Sequence, residues 1–261
     1  MGKQVKSRLH NMIYIRGGEY LRGSDESPDE SPIKTVKLSP FYIDATPVTN
    51  KEFNAFIKSD GYKNPNFWTQ KGWAHIKKVN IEIPNYWFDK NFNQDDHPVT
   101  GISWWEAMAY AKWAGKTLPS EAQWEYACKG NEERKYPWGN DEPSNDHANY
   151  AVDCDPFELD RSSTSVFAYP KNKSFFGCLD MAGNMAEWCL DNASLNYSWD
   201  DEGINPVYIT SETDEHIVRG GCGLHNEEFM RCASRDYYPT TMRDNLVGFR
   251  CVINQEEDNE I

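Results

Sequence analysis

Residues 216–252 read HIVRGGCGLHNEEFMRCASRDYYPTTMRDNLVGFRCV. A short apolar strand comes first and runs into the Gly220-Gly221 step. A nine-residue polar loop, Cys222 to Met230, follows and leads into Arg231-Cys232-Ala233-Ser234-Arg235. The stretch closes on Gly248-Phe249-Arg250-Cys251. Adjacent glycines let a backbone turn sharply or let another group come close. The segment therefore reads as two strands carrying a loop. Its arginines need carboxylate partners wherever they are buried, because a desolvated guanidinium is costly unless paired. A functional site is expected at this loop.

Upstream, local signals place three helices. Thr49 and Glu52 match a capping box, with Phe53, Phe56 and Ile57 one turn apart before Gly61. Ser103 and Glu106 repeat the pattern, and Gly115 sits where a helix C-terminal glycine belongs. Ser120 and Gln123 repeat it again, ahead of Gly130. Residues 12–23 read as a strand, a Gly-Gly turn and a return strand, and 35–38 and 41–43 as further strands. Residues 62–98 are aromatic and poorly periodic, so an irregular region with at most short strands is expected there. Between Tyr136 and Cys178 the chain reads as loops, a stretch that bound metal ions would help to stitch together.

Bulk properties narrow the function classes. With 26% charged and 39% apolar residues, the 261-residue chain is globular rather than disordered. A net charge of −14 argues against nucleic acid as the main partner, because phosphates are repelled. No apolar run approaches the roughly eighteen residues of a membrane span. The first residues lack the apolar core of a signal peptide, and Gly2 lacks the Ser or Thr of the myristoylation pattern. Cytoplasmic placement is expected if this is the full chain, and secreted or periplasmic placement if a leader was removed. Cys128, Cys154, Cys178, Cys189, Cys222, Cys232 and Cys251 include no C-x-x-C pair, which disfavours a zinc ribbon or thioredoxin motif.

Several segments, taken together, carry a family resemblance. They are MIYIRGGEY at 12–20, FYID at 41–44 with PVTN at 47–50, HPVTGISW at 97–104 and WAGKTLPSEAQWEYA at 113–127. YPWGN at 136–140, GNMAEW at 183–188, RGG at 219–221, R-x-A-x-R at 231–235 and GFR at 248–250 follow in order. The chain resembles the formylglycine-generating enzyme, or sulfatase-modifying factor, family over nearly its whole length. The resemblance implies an α+β, C-type-lectin-related fold, loop-rich, with few helices and short antiparallel strands, in one domain over residues 1–261.

It also implies chemistry, which this chain departs from. Family enzymes oxidise a peptide cysteine to formylglycine with oxygen and copper, the copper(I) held by two cysteines in the loop after Gly-Gly. Soft thiolates suit that ion. Here Gly223 to Met230 contains no cysteine, so copper is not expected. Cys222 stands where the family usually has an active-site serine. It is therefore a candidate nucleophile or metal ligand, with His225 beside it, and Cys222, His225 and Asn226 are the candidate ligand-binding loop. The bland alternative is a small buried Cys222 and a surface His225.

Calcium is the cofactor the resemblance favours. Positions matching Asp180, Gly183, Met185 and Glu187 bind it, two through carboxylates and two through carbonyls, the hard oxygen set that calcium takes. The alternative for Glu187 is a buried pair with Arg250 or Arg235. A second set would join Asn149 and Tyr150 to Asp155, Glu158 or Asp160. Cys128 and Cys232 match a disulfide of secreted members, while Ala111 leaves Cys251 without its family partner. Asn172, Asn192 and Asn196 head N-x-S sequons. The expected function is a family scaffold binding a peptide, protein or small ligand without copper oxidation. The competing expectation is an oxygen-dependent oxidoreductase with an altered metal site at Cys222.

Overall fold

The computed structural model describes residues 9–151, 162–199 and 203–255. It begins with strands β1 (Met12–Ile15), β2 (Gly18–Arg22), β3 (Lys34–Leu38) and β4 (Phe41–Asp44). The hairpin expected across Gly17-Gly18 does not form. β1 pairs antiparallel with β4, which pairs with the last strand, β9 (Val252–Asn254), whereas β2 pairs with β3 in a separate sheet. Gly17 explains the crossing. Its φ is +70°, and a Cβ there would lie 2.4 Å from the Leu38 carbonyl oxygen. The bare backbone lets the chain pass against Leu38–Pro40 from one sheet to the other.

Four α-helices follow: α1 (Asn50–Lys58), α2 (Gln70–Val79), α3 (Trp104–Trp113) and α4 (Glu121–Lys129). The caps read from the sequence are present at α1, α3 and α4, where Thr49, Ser103 and Ser120 each close a capping box. Helix α2 corrects the irregular reading of residues 62–98. Thr69 caps it, Asn80 ends it in the left-handed region, and only Gly72 and Ile76 are buried. Trp73 and Ile76 sit one turn apart on its inward face, but Thr69 is followed three positions on by Gly72, without the Glu or Gln that marks the other helix starts.

The second half of the chain builds a four-stranded sheet in the order β7–β6–β5–β8. It comprises β5 (Ala186–Asn192), β6 (Glu215–Arg219), β7 (Arg235–Pro239) and β8 (Val247–Gly248). β6 and β7 are antiparallel, with Arg219 opposite Arg235, so residues 220–234 form the connection carried by these strands. One core cluster joins α1 and α3 to this sheet through Phe53, Phe56, Tyr110, Trp188 and Phe249. Phe53 and Tyr110 stack at 5.3 Å, an aromatic pair worth about 0.5–1.5 kcal/mol beyond its buried area. A second cluster joins α4 to the smaller sheets through Phe41, Ile43, Trp124 and Ile217.

Four of the buried arginines sit in ion pairs, and a fifth, Arg22, lies over the Tyr197 ring at 3.9 Å. Arg219 meets Glu121 at 2.8 Å and Glu125 at 2.7 Å, and Arg235 meets Glu121 at 2.6 Å. Arg231 forms a two-pronged pair with Glu30, both contacts at 2.7 Å, and Arg250 pairs with Glu187 at 2.7 Å. Glu121 and Glu125 lie one helical turn apart on α4, which presents both carboxylates to β6. Burial alone would raise Glu125, but Lys129 and Arg219 bring its carboxyl down to about 2.

His216 on β6 stacks on Trp104 at 3.8 Å, and its Nδ1 is 3.1 Å from the Asp191 carbonyl. Burial lowers its pKa to about 4 despite that carbonyl. The unfolded chain, with an ordinary histidine near 6.5, then binds more protons between those values. His216 therefore costs stability as the pH falls through that window, by up to about 3 kcal/mol. Proton NMR titration should give a His216 pKa near 4. The stability of His216→Gln relative to the unsubstituted protein should improve from pH 7 to pH 4. A His216 titrating near 6.5 would refute both statements.

Candidate functional site

The Gly-Gly step decides where Cys222 lands. Gly220 and Gly221 have φ of +89° and +65°. A Cβ on Gly220 would meet the Met181 carbonyl oxygen at 2.8 Å, and one on Gly221 would meet Met230 Cε at 2.6 Å. Side chains are thus excluded at both positions, and the loop folds tightly against residues 180–185. Gly183 N–H donates to the Gly220 carbonyl at 2.8 Å, and Gly223 N–H donates to the Asn184 carbonyl at 3.1 Å. Asn184 N–H donates to the Asn149 carbonyl at 2.7 Å, and Ala151 N–H to the His225 carbonyl at 2.8 Å. Three segments far apart in sequence are laced together by backbone hydrogen bonds. The candidate residues Asn149, Gly183, Cys222 and His225 all lie within that lacing.

Cys222 is 0% exposed. Burial pushes its thiol up to about 11, against the Leu224 and His225 N–H groups directed at the sulfur, and Asp236 and Asp244 add to the rise. The thiol is therefore protonated at neutral pH, and a thiol is a far weaker nucleophile than a thiolate. His225 N–H donates to the Cys222 carbonyl at 3.0 Å, while its ring stacks on Phe229 at 4.2 Å. Burial lowers the His225 pKa, and its Nδ1 is buried without a hydrogen-bond partner among the described residues. Asn226 is exposed, and its Oδ1 accepts from Glu228 N–H at 3.2 Å, starting the short turn Glu227–Met230.

Sequence reasoning missed Asp236, Tyr238 and Asp244. Asp236 and Tyr238 share one face of β7, and burial followed by Asp236 drives the Tyr238 phenol far above its usual range. The alternation along β7 is the signal that would have found Asp236 and Tyr238; Asp244 lies beyond that strand.

Cys222 is the one thiol in the loop. Among the described residues, Cys128, Cys178, Cys189 and Cys232 pack in the cluster with α4, and Cys251 in the cluster with α1 and α3, while Cys154 lies outside the described residues. Among the described residues, no group of three or more His, Cys, Asp or Glu side chains is arranged to hold a metal ion.

The calcium set can be tested by counting oxygen lone pairs. Glu187 Oε2 accepts from Trp124 Nε1 at 2.8 Å and Arg250 Nε at 2.7 Å, and Oε1 accepts from Arg250 Nη2 at 2.7 Å. A carboxylate oxygen offers two lone-pair directions, so only one on Oε1 stays open. Asp180 is less committed. Its Oδ2 accepts from Asn184 Nδ2 at 2.7 Å, and burial raises its carboxyl to about 7. Asp180 therefore suits a cation, while Glu187 would share itself between a cation and Arg250. Asp155, Glu158 and Asp160 lie outside the described residues. Asn149 Nδ2 donates to the Ser162 carbonyl at 3.2 Å, and Tyr150 is buried.

Cys128 and Cys232 bring their sulfurs to 2.6 Å. Of the sequon asparagines, Asn172 and Asn192 are buried, and Asn196 is partly exposed. Beside the loop, a hollow of about 240 Å³ is bounded by Ser27, Asp29, Glu228, Phe229, Arg231 and Arg235.

Comparison with known proteins is consistent with this architecture. The family model for the sulfatase-modifying factor enzyme 1-like domain matches residues 1–255. Serine/threonine-protein kinase pkn1 of Chlamydia caviae is 33% identical over 92% of this chain, which spans only 37% of that relative's length. Formylglycine-generating enzyme of Bos taurus is 30% identical over 92% of this chain and 74% of its own length. Among solved structures, PvdO from Pseudomonas aeruginosa superposes with a TM-score of 0.71 at 20% identity, over 94% of each chain, and speaks to fold alone. With its α+β, loop-rich architecture, its family-ordered motifs and a family match over nearly its entire length, the chain belongs to the sulfatase-modifying factor enzyme 1-like family.

Proposed function

We propose that this family member holds a ligand over the Cys222–Met230 loop without copper-dependent oxidation of cysteine. The ligand class is a peptide, protein or small molecule. The observation behind this reading is the single thiol of the loop, buried and held protonated up to about pH 11, where copper(I) calls for two thiolates. The hollow walled by Glu228 and Phe229 offers mixed polar and apolar contacts for such a ligand. Calcium is the proposed cofactor, held by the Asp180 carboxylate and the Gly183 and Met185 carbonyls, with Glu187 sharing its open Oε1 position. Its role is to tie the 180–187 turn down beneath the loop. The rival reading, an oxidoreductase with an altered site at Cys222, draws on the two N–H groups aimed at the sulfur and on the oxidative enzymes among the relatives.

One metal titration tests both parts. Protein purified without chelators is offered copper(I) against a competing chelator, and separately calcium. Copper(I) should stay with the chelator, and a cysteine peptide with copper and oxygen should yield no aldehyde. Calcium should raise the thermal midpoint, and Asp180→Ala should remove that rise. Tight copper(I) binding with aldehyde formation, lost in Cys222→Ser, would establish the rival. A thermal midpoint indifferent to calcium would remove the cofactor proposal.

A further inference from the structure

Asn172 heads an N-x-S sequon in the sequence, yet the fold buries it. Its side chain is 0% exposed, which leaves no surface for a glycan. Two hydrogen bonds clamp the residue onto the 180–187 turn. Its backbone carbonyl accepts from Asp180 N–H at 3.2 Å, and its Nδ2 donates to the Ala182 carbonyl at 2.6 Å. The Oδ1 of the same planar amide therefore also lies against that turn, and it has no hydrogen-bond partner among the described residues. A buried amide oxygen in that state is costly. Turning the amide over does not relieve it, because Oδ1 would then face the Ala182 carbonyl, another acceptor.

Asp180, at the start of the turn, shows the same shortage. It is 3% exposed, and its carboxylate accepts from Asn184 Nδ2 at 2.7 Å and makes no ion pair among the described residues. Arg250 does not supply what is missing. Its Nε and Nη2 go to Glu187, and Nη2 reaches the Asp180 backbone carbonyl at 3.3 Å rather than the carboxylate. With Asp180 ionised, two buried carboxylates share one guanidinium, and the group carries an uncompensated negative charge. A hydrogen-bond donor would satisfy the bare oxygens but not that charge. A hard cation satisfies both, and calcium takes carboxylate, backbone carbonyl and asparagine oxygens together.

We infer that Asn172 Oδ1 is a further ligand of the calcium proposed at this turn. It supplies the position that Glu187, committed to Arg250 and Trp124, fills only in part. The ion is then held from two directions, by the 180–187 turn and by Asn172 reaching across from the segment before it. This inference rests on the calcium reading of the turn and adds a ligand from outside it. A neutral amide standing in for part of a second carboxylate lowers the charge around the ion, so added charge at position 172 tightens binding.

Calcium affinity, measured by competition with a chelating dye, tests this on the 261-residue chain. The unsubstituted protein is compared with Asn172→Leu, Asn172→Asp and Asp180→Ala. Leucine is close to asparagine in shape but has no oxygen, and it should weaken calcium at least about tenfold. Aspartate keeps an oxygen at Oδ1 and adds charge. It should bind calcium at least as tightly as the unsubstituted protein, with a larger rise of the thermal midpoint on adding the ion. Both variants lose the Nδ2 bond to Ala182, so an asparagine that only braced the turn would leave them equally weak. Circular dichroism without calcium checks that each is folded, and if Asn172→Leu is not, the aspartate variant alone decides. Unchanged affinity in Asn172→Leu, or Asn172→Asp clearly weaker than the unsubstituted protein, would overturn the Asn172 ligand and leave the calcium reading standing, provided Asp180→Ala still abolishes binding. No saturable calcium binding by the unsubstituted protein would overturn both.

Discussion

Glu121→Gln should unfold the protein at markedly lower urea, with a loss of about 3–5 kcal/mol. Glu121 is 1% exposed and is the shared acceptor of the buried network. Its Oε1 accepts from Arg219 Nη1 at 2.8 Å, Arg235 Nε at 2.6 Å and the Tyr197 hydroxyl at 3.2 Å. Its Oε2 accepts from Arg235 Nη2 at 3.1 Å. Burial alone would raise the Glu121 carboxyl, yet Arg235 and Arg219 hold it below its usual value. Glutamine keeps the volume, so no cavity opens. It removes the charge and turns an amide N–H₂ toward guanidinium donors. Arg235 loses its only carboxylate partner among the described residues, and Arg219 is left with Glu125. The cost is that of a buried cation without a matching anion, which exceeds what the pair itself contributes. Urea unfolding of the two proteins, compared at equal slope, measures it. A loss below about 1 kcal/mol would mean that water reaches the network and screens it.

Oxidation should link Cys128 to Cys232 and stabilise the protein by about 4–5 kcal/mol, the loop-closure value for a ring of roughly a hundred residues. The two sulfurs are 104 residues apart in sequence and 2.6 Å apart in space. One lies near the end of α4 and the other between Arg231 and β7, so the bond would join helix to hairpin. Burial, then the neighbouring Cys232, pushes the Cys128 thiol well above its usual range. Little thiolate is present at neutral pH, and bond formation should be slow without an oxidant such as diamide. The product is a 2 Da mass decrease in the intact protein, with 128 and 232 linked in a non-reducing peptide map. Oxidised and reduced samples are then unfolded in urea. Failure to form this link under denaturant-free oxidation, or a stability unchanged by it, would refute the prediction.

Much of the local framework could be read directly. The capping boxes at Thr49, Ser103 and Ser120 each involve residues three positions apart, so their hydrogen bonds are written within one turn. The strand pair around the loop was equally plain, because Gly220-Gly221 interrupts an apolar strand. Helix α2 was not plain, since its cap, Thr69, has Gly72 three positions on in place of the Glu or Gln that closes the other boxes. The β1–β2 hairpin was misread for a different reason. A Gly-Gly step permits a turn, but it also permits a crossing, and the choice depends on Leu38 standing against Gly17. At the site, the sequence named Cys222, His225 and the 180–187 turn. It left open whether Glu187 meets Arg250 or Arg235, and the tertiary structure selects Arg250.

By itself, the sequence determined which family scaffold this chain builds, where three helices start, and that the loop after Gly221 carries one thiol. The tertiary structure decided that this thiol is buried and protonated, and which carboxylate each paired arginine receives. The division follows from range. A cap or a double glycine acts on neighbours along the chain, whereas desolvation and ion pairing depend on groups such as Glu30 and Arg231, 201 positions apart, meeting only when the core closes.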